Sequence, residues 1–243
     1  MRSHHLRAAT GGGSGASIIQ NGLDIYLDAN DPNSYSGSGS TWTNLATSGT
    51  FGNAALNTSG SYSAFSSSGT PKYFENLRGH IPFTSRNYYR PFTYSVWCYP
   101  TAWGSYMIMI DQGSFLFSFE VNGQSLGMWE PNNGSPRYYA WTNGTLNTWW
   151  NLTLTYEITG SPNSNSNAWK IYVNGSLFQS VTDGDNSTGT FYDFNLGAHN
   201  ATYNNGGGYP FEGNIAAYLV YNRVLSATEI SDNFNAMKAT YGY

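Results

Sequence analysis

The sequence predicts an all-β protein, a two-layer antiparallel sandwich that closes with one short helix. Three observations lead to this prediction: 17% of the residues are aromatic, only 10% are charged, and 28 glycines are spread over 243 residues. This composition favours many short strands joined by turns, and its aromatic content argues against disorder. A chain of this length can bury one large core.

The chain begins with a Gly/Ser-rich segment, residues 1–17, which contains His4 and His5. Segments of this composition are flexible. Two interpretations are open, a linker or cloning remnant and an arm that binds a neighbouring subunit. The segment has no apolar run, so we expect no signal peptide here. Residues 18–243 are predicted to form a single domain.

Alternation of apolar and polar residues predicts the first strands. In "LDIYLDANDP", Leu23, Ile25 and Leu27 alternate with polar or amphipathic residues, which is the period of a strand with one buried face, and Pro32 ends it. The segment "FTYSVWCYPT", residues 92–101, alternates in the same way. Both are predicted to lie in the sandwich.

Two Asn-Gly dipeptides predict two β-hairpins. Asn122-Gly123 and Asn174-Gly175 each separate two strand-like segments. Asn-Gly supplies the two positive φ angles that a two-residue type I′ turn requires. Together with the remaining apolar runs, these hairpins give about a dozen short strands.

The C-terminal segment predicts a buried strand followed by a helix. "NIAAYLVYN" is mostly apolar, so we expect this strand to be covered on both faces. Ser226 and Glu229 have the spacing of a capping box. Apolar residues then recur at helical spacing from Ile230 to Tyr241. We expect this helix to dock on the sandwich and to plug one end of its core.

These segments, in this order, resemble the laminin-G-like jelly rolls of the concanavalin A-like lectin/glucanase superfamily, of the type found in phage and bacterial surface proteins. The resemblance spans about residues 18–243, and it is carried by "GLDIYLDANDPNSY", "TWTNL", "FTYSVWCYP", "WWNLTLTYE", "KIYVNGSLF" and "FEGNIAAYLVYNRVLSATEI". It departs from the family where "KYFENLRGHIPF" replaces a compact FDG-type turn. The resemblance implies a two-sheet antiparallel jelly-roll sandwich with a short C-terminal helix. It does not fix an activity, because this fold hosts lectins, glycosidases, adhesive modules and structural parts.

Composition also limits the partners and the location. A net charge of −4 and a pI near 5.4 argue against nucleic acid. No apolar run is long enough to span a membrane, and Cys98 is the only cysteine, so no internal disulfide forms. A surface rich in Tyr, Trp, Ser, Gly and Asn without an export signal predicts a virion protein that folds in host cytoplasm and is exposed after release. A secreted or cell-surface protein is the alternative.

Acidic residues give weak signals for catalysis or metal binding. Glucanases of this superfamily place catalytic acids in an E-x-D-x-x-E pattern, which is absent here. Glu120 and Glu130 flank a hairpin and could converge, but we interpret them as surface carboxylates and predict no enzyme. No cofactor is predicted, and calcium is the single candidate ion. Its candidate ligands lie in "DGDNSTG", where turn chemistry is the alternative explanation, and they are Asp183, Asp185 and Asn186.

Aromatic residues in two turn-rich segments predict a carbohydrate-binding surface. The apolar faces of sugar rings stack on Trp and Tyr, while polar groups nearby bind the hydroxyls. The alternative is that these side chains fill the core. The predicted ligand-binding residues are Trp129, Tyr138, Tyr139 and Trp141 in the first segment and Tyr203, Asn204 and Tyr209 in the second.

The sequence therefore predicts a non-enzymatic virion surface protein, a capsid decoration or fibre component with a lectin-like fold. We expect weak adhesion to host-surface polysaccharide, and an N-terminal arm that contacts neighbouring capsid subunits. The first alternative is a purely structural capsid clamp, since Tyr and Trp also suit protein interfaces. The less favoured alternative is a glycoside hydrolase.

Overall fold

The structure is a computed structural model, and it describes most of the chain. The described residues are 16–48, 51–87, 91–112, 117–129, 137–158, 167–183, 190–199 and 208–243. Most of the N-terminal segment, residues 1–15, therefore lies outside the described residues.

The described residues form strands almost throughout. In chain order these are β1 (Leu23–Asp28), β2 (Thr41–Trp42), β3 (Ala54–Leu56), β4 (Ala64–Ser66), β5 (Tyr73–Glu75), β6 (Gly79–Asn87), β7 (Phe92–Pro100), β8 (Met107–Gln112), β9 (Phe117–Val121), β10 (Ser125–Trp129), β11 (Arg137–Ala140), β12 (Trp150–Ile158), β13 (Asn167–Val173), β14 (Ser176–Asp183), β15 (Thr190–Leu196) and β16 (Gly213–Tyr221). One helix, α1 (Ala227–Met237), follows and continues into a 3₁₀ turn, Lys238–Tyr241.

The strands pair into two antiparallel sheets. The first sheet has the order β14-β13-β12-β7-β16-β5-β4, with β1 also paired to β16. The second sheet has the order β11-β10-β9-β8-β15-β6-β3-β2. The chain passes from one sheet to the other several times, and its alternating apolar residues meet between the layers. This confirms the predicted two-sheet jelly-roll sandwich.

The main core lies between the two sheets, and a second apolar cluster lies on the outer side of the first sheet. On β16, Tyr218 and Val220 belong to the main core, whereas Leu219 and Tyr221 belong to the outer cluster. Successive residues of a strand point to opposite faces. The prediction that this apolar strand is buried on both faces is therefore confirmed.

Helix α1 covers that outer cluster. The Ser226 hydroxyl accepts a hydrogen bond from the Glu229 N–H at 3.3 Å, and the Glu229 carboxylate accepts one from the Ser226 N–H at 2.9 Å, which confirms the capping box. The Tyr241 ring stacks on Trp97 with centroids 3.9 Å apart. The helix thus lies over the outer face of the first sheet. The expectation that it plugs an end of the main core is wrong, because its apolar stripe matches the outward-facing residues of β7 and β16.

Both predicted hairpins form, but one turn differs from the prediction. Asn174-Gly175 has φ values of +50° and +76°, as a type I′ turn requires. In the other hairpin, the Asn122 N–H donates to the Ser125 carbonyl at 3.0 Å, so residues 123 and 124 are central, and only Gly123 has a positive φ. That arrangement fits a type II′ turn. The core pairing of Val121 with Leu126 sets this register and moves the turn by one residue.

Candidate functional site

The outer face of the second sheet carries a cluster of buried polar side chains. Asp111 on β8 lies opposite Ser118 on β9, and Glu120 lies two residues further along on the same face. Asn195 on β15 lies opposite Asp111 on the other side, and His199 follows that strand. We call Asp111, Ser118, Glu120, Asn195 and His199 the polar cluster. All five are buried.

One half of the polar cluster is centred on Asp111. Its Oδ2 atom accepts a hydrogen bond from Asn195 Nδ2 at 3.1 Å and lies 2.8 Å from His199 Nδ1. Both contacts link residues far apart in sequence, and the β8–β15 register brings them together. The other oxygens, Asp111 Oδ1 and Asn195 Oδ1, are buried and receive no hydrogen bond from any residue in the described part of the chain.

The other half of the polar cluster is centred on Glu120. Its carboxylate accepts hydrogen bonds from the Ser118 hydroxyl and from the Tyr138 hydroxyl. Burial raises the pKa of Glu120 and the charge of Asp111 raises it further, while these two hydrogen bonds and the charge of His199 act to lower it. Burial is likewise the main reason that the pKa of Tyr138 is raised, and the Glu120 charge adds to it.

Glu120 is only 3% exposed, so its interpretation as a surface carboxylate is wrong. The alternation of β9 places it on the outer face, as expected, but Tyr138 then covers it. Its proposed counterpart Glu130 lies outside the described residues. The acid that the structure does place on the same face is Asp111, which sequence analysis did not single out.

Gly127 allows Tyr138 to reach Glu120. On β10 it lies between these two residues, paired with Glu120 on one side and with Tyr138 on the other. A Cβ atom at position 127 would come within 2.2 Å of the Arg137 carbonyl oxygen and 2.3 Å of Tyr138 Cδ1. Because glycine has no side chain, the tyrosine ring can lie across this strand.

Tyr138 belongs to a group of three neighbouring tyrosines beside the polar cluster. The Tyr106 ring lies 6.1 Å from the Tyr138 ring and 5.7 Å from the Tyr209 ring, centroid to centroid. Tyr106 and Tyr209 are 43% and 46% exposed, and Tyr138 is half-buried. We call these three residues the tyrosine platform. It joins the two predicted aromatic segments.

Tyr106 was missed by sequence analysis, although one signal for it exists. It ends the turn-rich stretch "WGSY" directly before β8, and turns of this kind run over the protein surface. Sequence alone does not show that it lies between Tyr138 and Tyr209, which are 71 positions apart in the numbering.

Two residues of the platform have an unusual backbone conformation. Tyr106 has a φ of +55° and Tyr209 a φ of +50°, in the left-handed region that a bulky side chain rarely adopts. Hydrogen bonds hold both segments: the Tyr106 N–H donates to Asn122 Oδ1 at 3.4 Å, and the Tyr209 carbonyl accepts from the Ile108 N–H at 3.0 Å. Backbone strain of about 1–3 kcal/mol per residue is typical of ligand sites.

The remaining aromatic residues of the first predicted segment have different positions. Trp129 is half-buried at the end of β10, on the same face as Ser118. Tyr139 points to the opposite side of β11 and packs against the core residue Trp169, with centroids 5.7 Å apart. Trp141 is 2% exposed and belongs to the main core. For Trp141, the core-filling alternative is therefore the correct one, since its ring has no open face.

Other predicted site residues fall outside what the structure describes. Tyr203 and Asn204 lie outside the described residues, as do Asp185 and Asn186. Asp183 ends β14, and only its backbone is described. Among the described residues, no group of three or more His, Cys, Asp or Glu side chains could hold a metal ion. Calcium binding in "DGDNSTG" stays a prediction. No helix within the described ranges is long and apolar enough to cross a membrane.

Several solved structures share this fold. Domain 4 of AbnA, an extracellular GH43 arabinanase from Geobacillus stearothermophilus, in complex with arabinotriose, is 16% identical with a TM-score of 0.55, over 88% of this chain and 99% of that domain. The Trypanosoma rangeli sialidase in complex with sialic acid is 14% identical with a TM-score of 0.62, over 94% of this chain and 35% of the sialidase. The ligand-binding domain of botulinum neurotoxin serotype D, in complex with N-acetylneuraminic acid, is 14% identical with a TM-score of 0.60, over 89% of this chain and 51% of the toxin domain.

These low identities establish a common fold only, and the chain spans about a third of the sialidase and half of the toxin domain. Among curated proteins, none matches the chain. A family profile matches residues 78–231, more than half of the chain, including the strands that carry the polar cluster. The chain belongs to the concanavalin A-like lectin/glucanases superfamily.

Proposed function

We propose that this protein is a non-enzymatic carbohydrate-binding module, and that the tyrosine platform is its binding surface. The observation that carries this proposal is the convergence of Tyr106, Tyr138 and Tyr209 from three separate segments into one partly exposed aromatic group. Aromatic rings in such positions offer apolar faces to the C–H faces of sugars, and polar groups beside them orient the ligand.

The strained backbone of the platform gives independent support. Two of its three tyrosines have positive φ values, and each is held by a hydrogen bond from or to a neighbouring strand or turn. A protein that needed only to cover this edge of the sheet could do so with unstrained residues. The relatives that contain arabinotriose, sialic acid or N-acetylneuraminic acid are consistent with carbohydrate as the class of ligand.

The geometry of the acids favours binding over hydrolysis. A glycoside hydrolase needs two carboxyl groups that flank the scissile bond in a groove open to substrate. Asp111 and Glu120 share one face of the second sheet, but they are 0% and 3% exposed. Glu120 accepts hydrogen bonds from two protein hydroxyls, and Asp111 contacts Asn195 and His199. The burial of both acids argues against a role for them in hydrolysis.

We extend the proposal to a setting on the surface of a virion, where a lectin-like module would hold host polysaccharide. This setting rests on composition and stays a prediction, as does contact of the N-terminal segment, residues 1–17, with capsid subunits. The structural clamp is the competing role. Deletion of residues 1–17 separates the two, since glycan binding by the isolated domain should persist while a clamp should lose assembly.

A glycan array with purified protein tests the proposed function. We expect binding to at least one oligosaccharide or polysaccharide, weakened about tenfold, or ~1.4 kcal/mol, by Tyr106→Ala and by Tyr209→Ala. Tyr243→Ala is the matched control, because Tyr243 is also 46% exposed but lies by Phe234 on the side of the first sheet. Absence of binding to every glycan, or equal loss in all three variants, would contradict the proposal.

A further inference from the structure

We infer, resting on the proposed function, that the tyrosine platform selects uncharged sugars over sugars that carry a carboxylate. The sheet face beside the platform carries two acidic side chains. Asp111 on β8 and Glu120 on β9 are both buried there. A ligand on the platform therefore lies next to fixed negative charge.

Few cationic groups lie near this face among the side chains that the structure describes, which do not include that of Arg86 on β6. His199 contacts Asp111, and His80 lies opposite Asn195 in the β6–β15 pairing. Arg137 is next to Tyr138 on β11, but the alternation of the strand turns it toward the other face, opposite Met128. The chain has only three lysines, and they lie before β5, on β13 of the first sheet and after α1. None is on the second sheet.

The hydrogen-bonding groups of this face also favour an uncharged sugar over a carboxylate. The Tyr138 hydroxyl donates its hydrogen to Glu120, so toward a ligand its oxygen can only accept. On the same face, the acceptor atoms Asp111 Oδ1 and Asn195 Oδ1 receive no hydrogen bond from the described residues. Sugar hydroxyl groups can donate to acceptors, whereas an ionised carboxylate can only accept. The face thus favours a hydroxyl-bearing ligand and disfavours an anion.

Because the Asp111 and Glu120 carboxylates are buried, their electric field is felt by a ligand on the platform. Charges surrounded by protein are screened less by salt than exposed charges, so their field extends to a ligand on the platform. We expect this field to weaken the binding of a uronic acid sugar about tenfold relative to the neutral sugar of the same shape, which is ~1.4 kcal/mol.

The test compares matched pairs of ligands that differ only in charge. Dissociation constants are measured by calorimetry for oligogalactosides and oligogalacturonides of equal length. The readout is the ratio of the two affinities in each pair. It is compared among the wild-type protein, Asp111→Asn and Glu120→Gln, with Glu157→Gln as control, since Glu157 is an exposed acid on β12 of the first sheet.

We expect the neutral member to bind about tenfold more tightly, and this ratio to fall several-fold in Asp111→Asn and in Glu120→Gln but not in Glu157→Gln. Because buried charges are screened little by salt, the ratio in the wild-type protein should persist when the salt concentration rises from about 20 mM to 500 mM, and this measurement needs no variant. Equal or tighter binding of the anionic member, a ratio that neither substitution alters, or a ratio that disappears at high salt would overturn the inference while the proposed function stands. If the wild-type protein binds no glycan at all, both the proposed function and this inference are overturned.

Discussion

Glu120 gives the sharpest test of the buried polar cluster. At neutral pH, removal of its charge should raise the free energy of unfolding, whereas removal of its hydrogen bonds should lower it. Glu120→Gln keeps the shape of the side chain and can still bond to the hydroxyls of Ser118 and Tyr138. Glu120→Ala leaves both hydroxyls without their acceptor. Ser118 is fully buried and has no access to water, whereas Tyr138 is half-buried and can turn to it. The loss from Ser118 alone is about 1–3 kcal/mol of unfolding free energy.

The pH dependence follows from the raised pKa of Glu120. The ordinary value is 4.5, and burial raises it in the folded state. Between 4.5 and the raised value the folded protein binds more protons than the unfolded chain. The Glu120 contribution to stability is therefore most favourable at low pH, and it declines as the pH rises through this window. Each unit of increase in pKa corresponds to about 1.4 kcal/mol. Relative to the wild type, Glu120→Gln should become more stable as the pH increases.

Urea denaturation of the wild type, Glu120→Gln and Glu120→Ala at half-unit steps from pH 4 to pH 8 measures both effects. The exposed Glu157→Gln serves as the control for loss of one negative charge. We expect Glu120→Ala to be the least stable variant at pH 7. The reasoning is refuted if the stability difference between Glu120→Gln and the wild type is independent of pH, or if it moves in favour of the wild type as the pH rises.

Four further predictions concern the platform and the helix. Gly127→Ala should displace Tyr138, because the new Cβ atom meets its ring and the Arg137 carbonyl, and glycan binding should fall about tenfold while circular dichroism shows a folded protein. Ser226→Ala should lower the free energy of unfolding by about 1 kcal/mol, measured by thermal or urea unfolding. Hydrogen bonds, led by those from Arg223, lower the pKa of Glu229 to about 2, so the stabilisation by Glu229 should be present above pH 4.5 and fade toward pH 2. A Glu229→Gln loss of stability that stays constant across that range would contradict this prediction. Tyr241→Ala should cost about 3–5 kcal/mol through loss of the stack on Trp97, whereas Tyr241→Phe should cost less than about 1 kcal/mol; equal losses would show that the hydroxyl matters more than the ring.

The parts of the fold that depend on local sequence could be predicted. The capping box at Ser226 and the type I′ turn at Asn174-Gly175 are decided by residues within a few positions of each other, and both form as expected. The turn at Asn122-Gly123 shows where this fails. There the pairing of two core residues fixes the strand register, and tertiary packing outweighs the preference of the dipeptide.

The candidate site could be predicted only in part, because it depends on contacts between distant segments. Asp111 contacts His199 across 88 positions, and neither residue has a local pattern that marks it. In "RYYAW" the alternation of a strand separates Tyr138 from Tyr139, but the sequence does not say which one faces outward. The aromatic composition directed attention to two segments, and the structure brings Tyr138 and Tyr209 of these segments together through Tyr106. The register of β9, β10 and β11 decides that Tyr138 lies on the platform and Tyr139 against the core.

The most direct test of the account is carbohydrate binding by the wild-type protein and by the double variant Tyr106→Ala/Tyr209→Ala, with Tyr243→Ala as the equally exposed reference. Affinity for the best ligand on a glycan array would be measured by calorimetry. We predict measurable binding by the wild type and by Tyr243→Ala, and a loss of at least tenfold in the double variant. Full affinity in a correctly folded double variant would show that the tyrosine platform is not the binding surface.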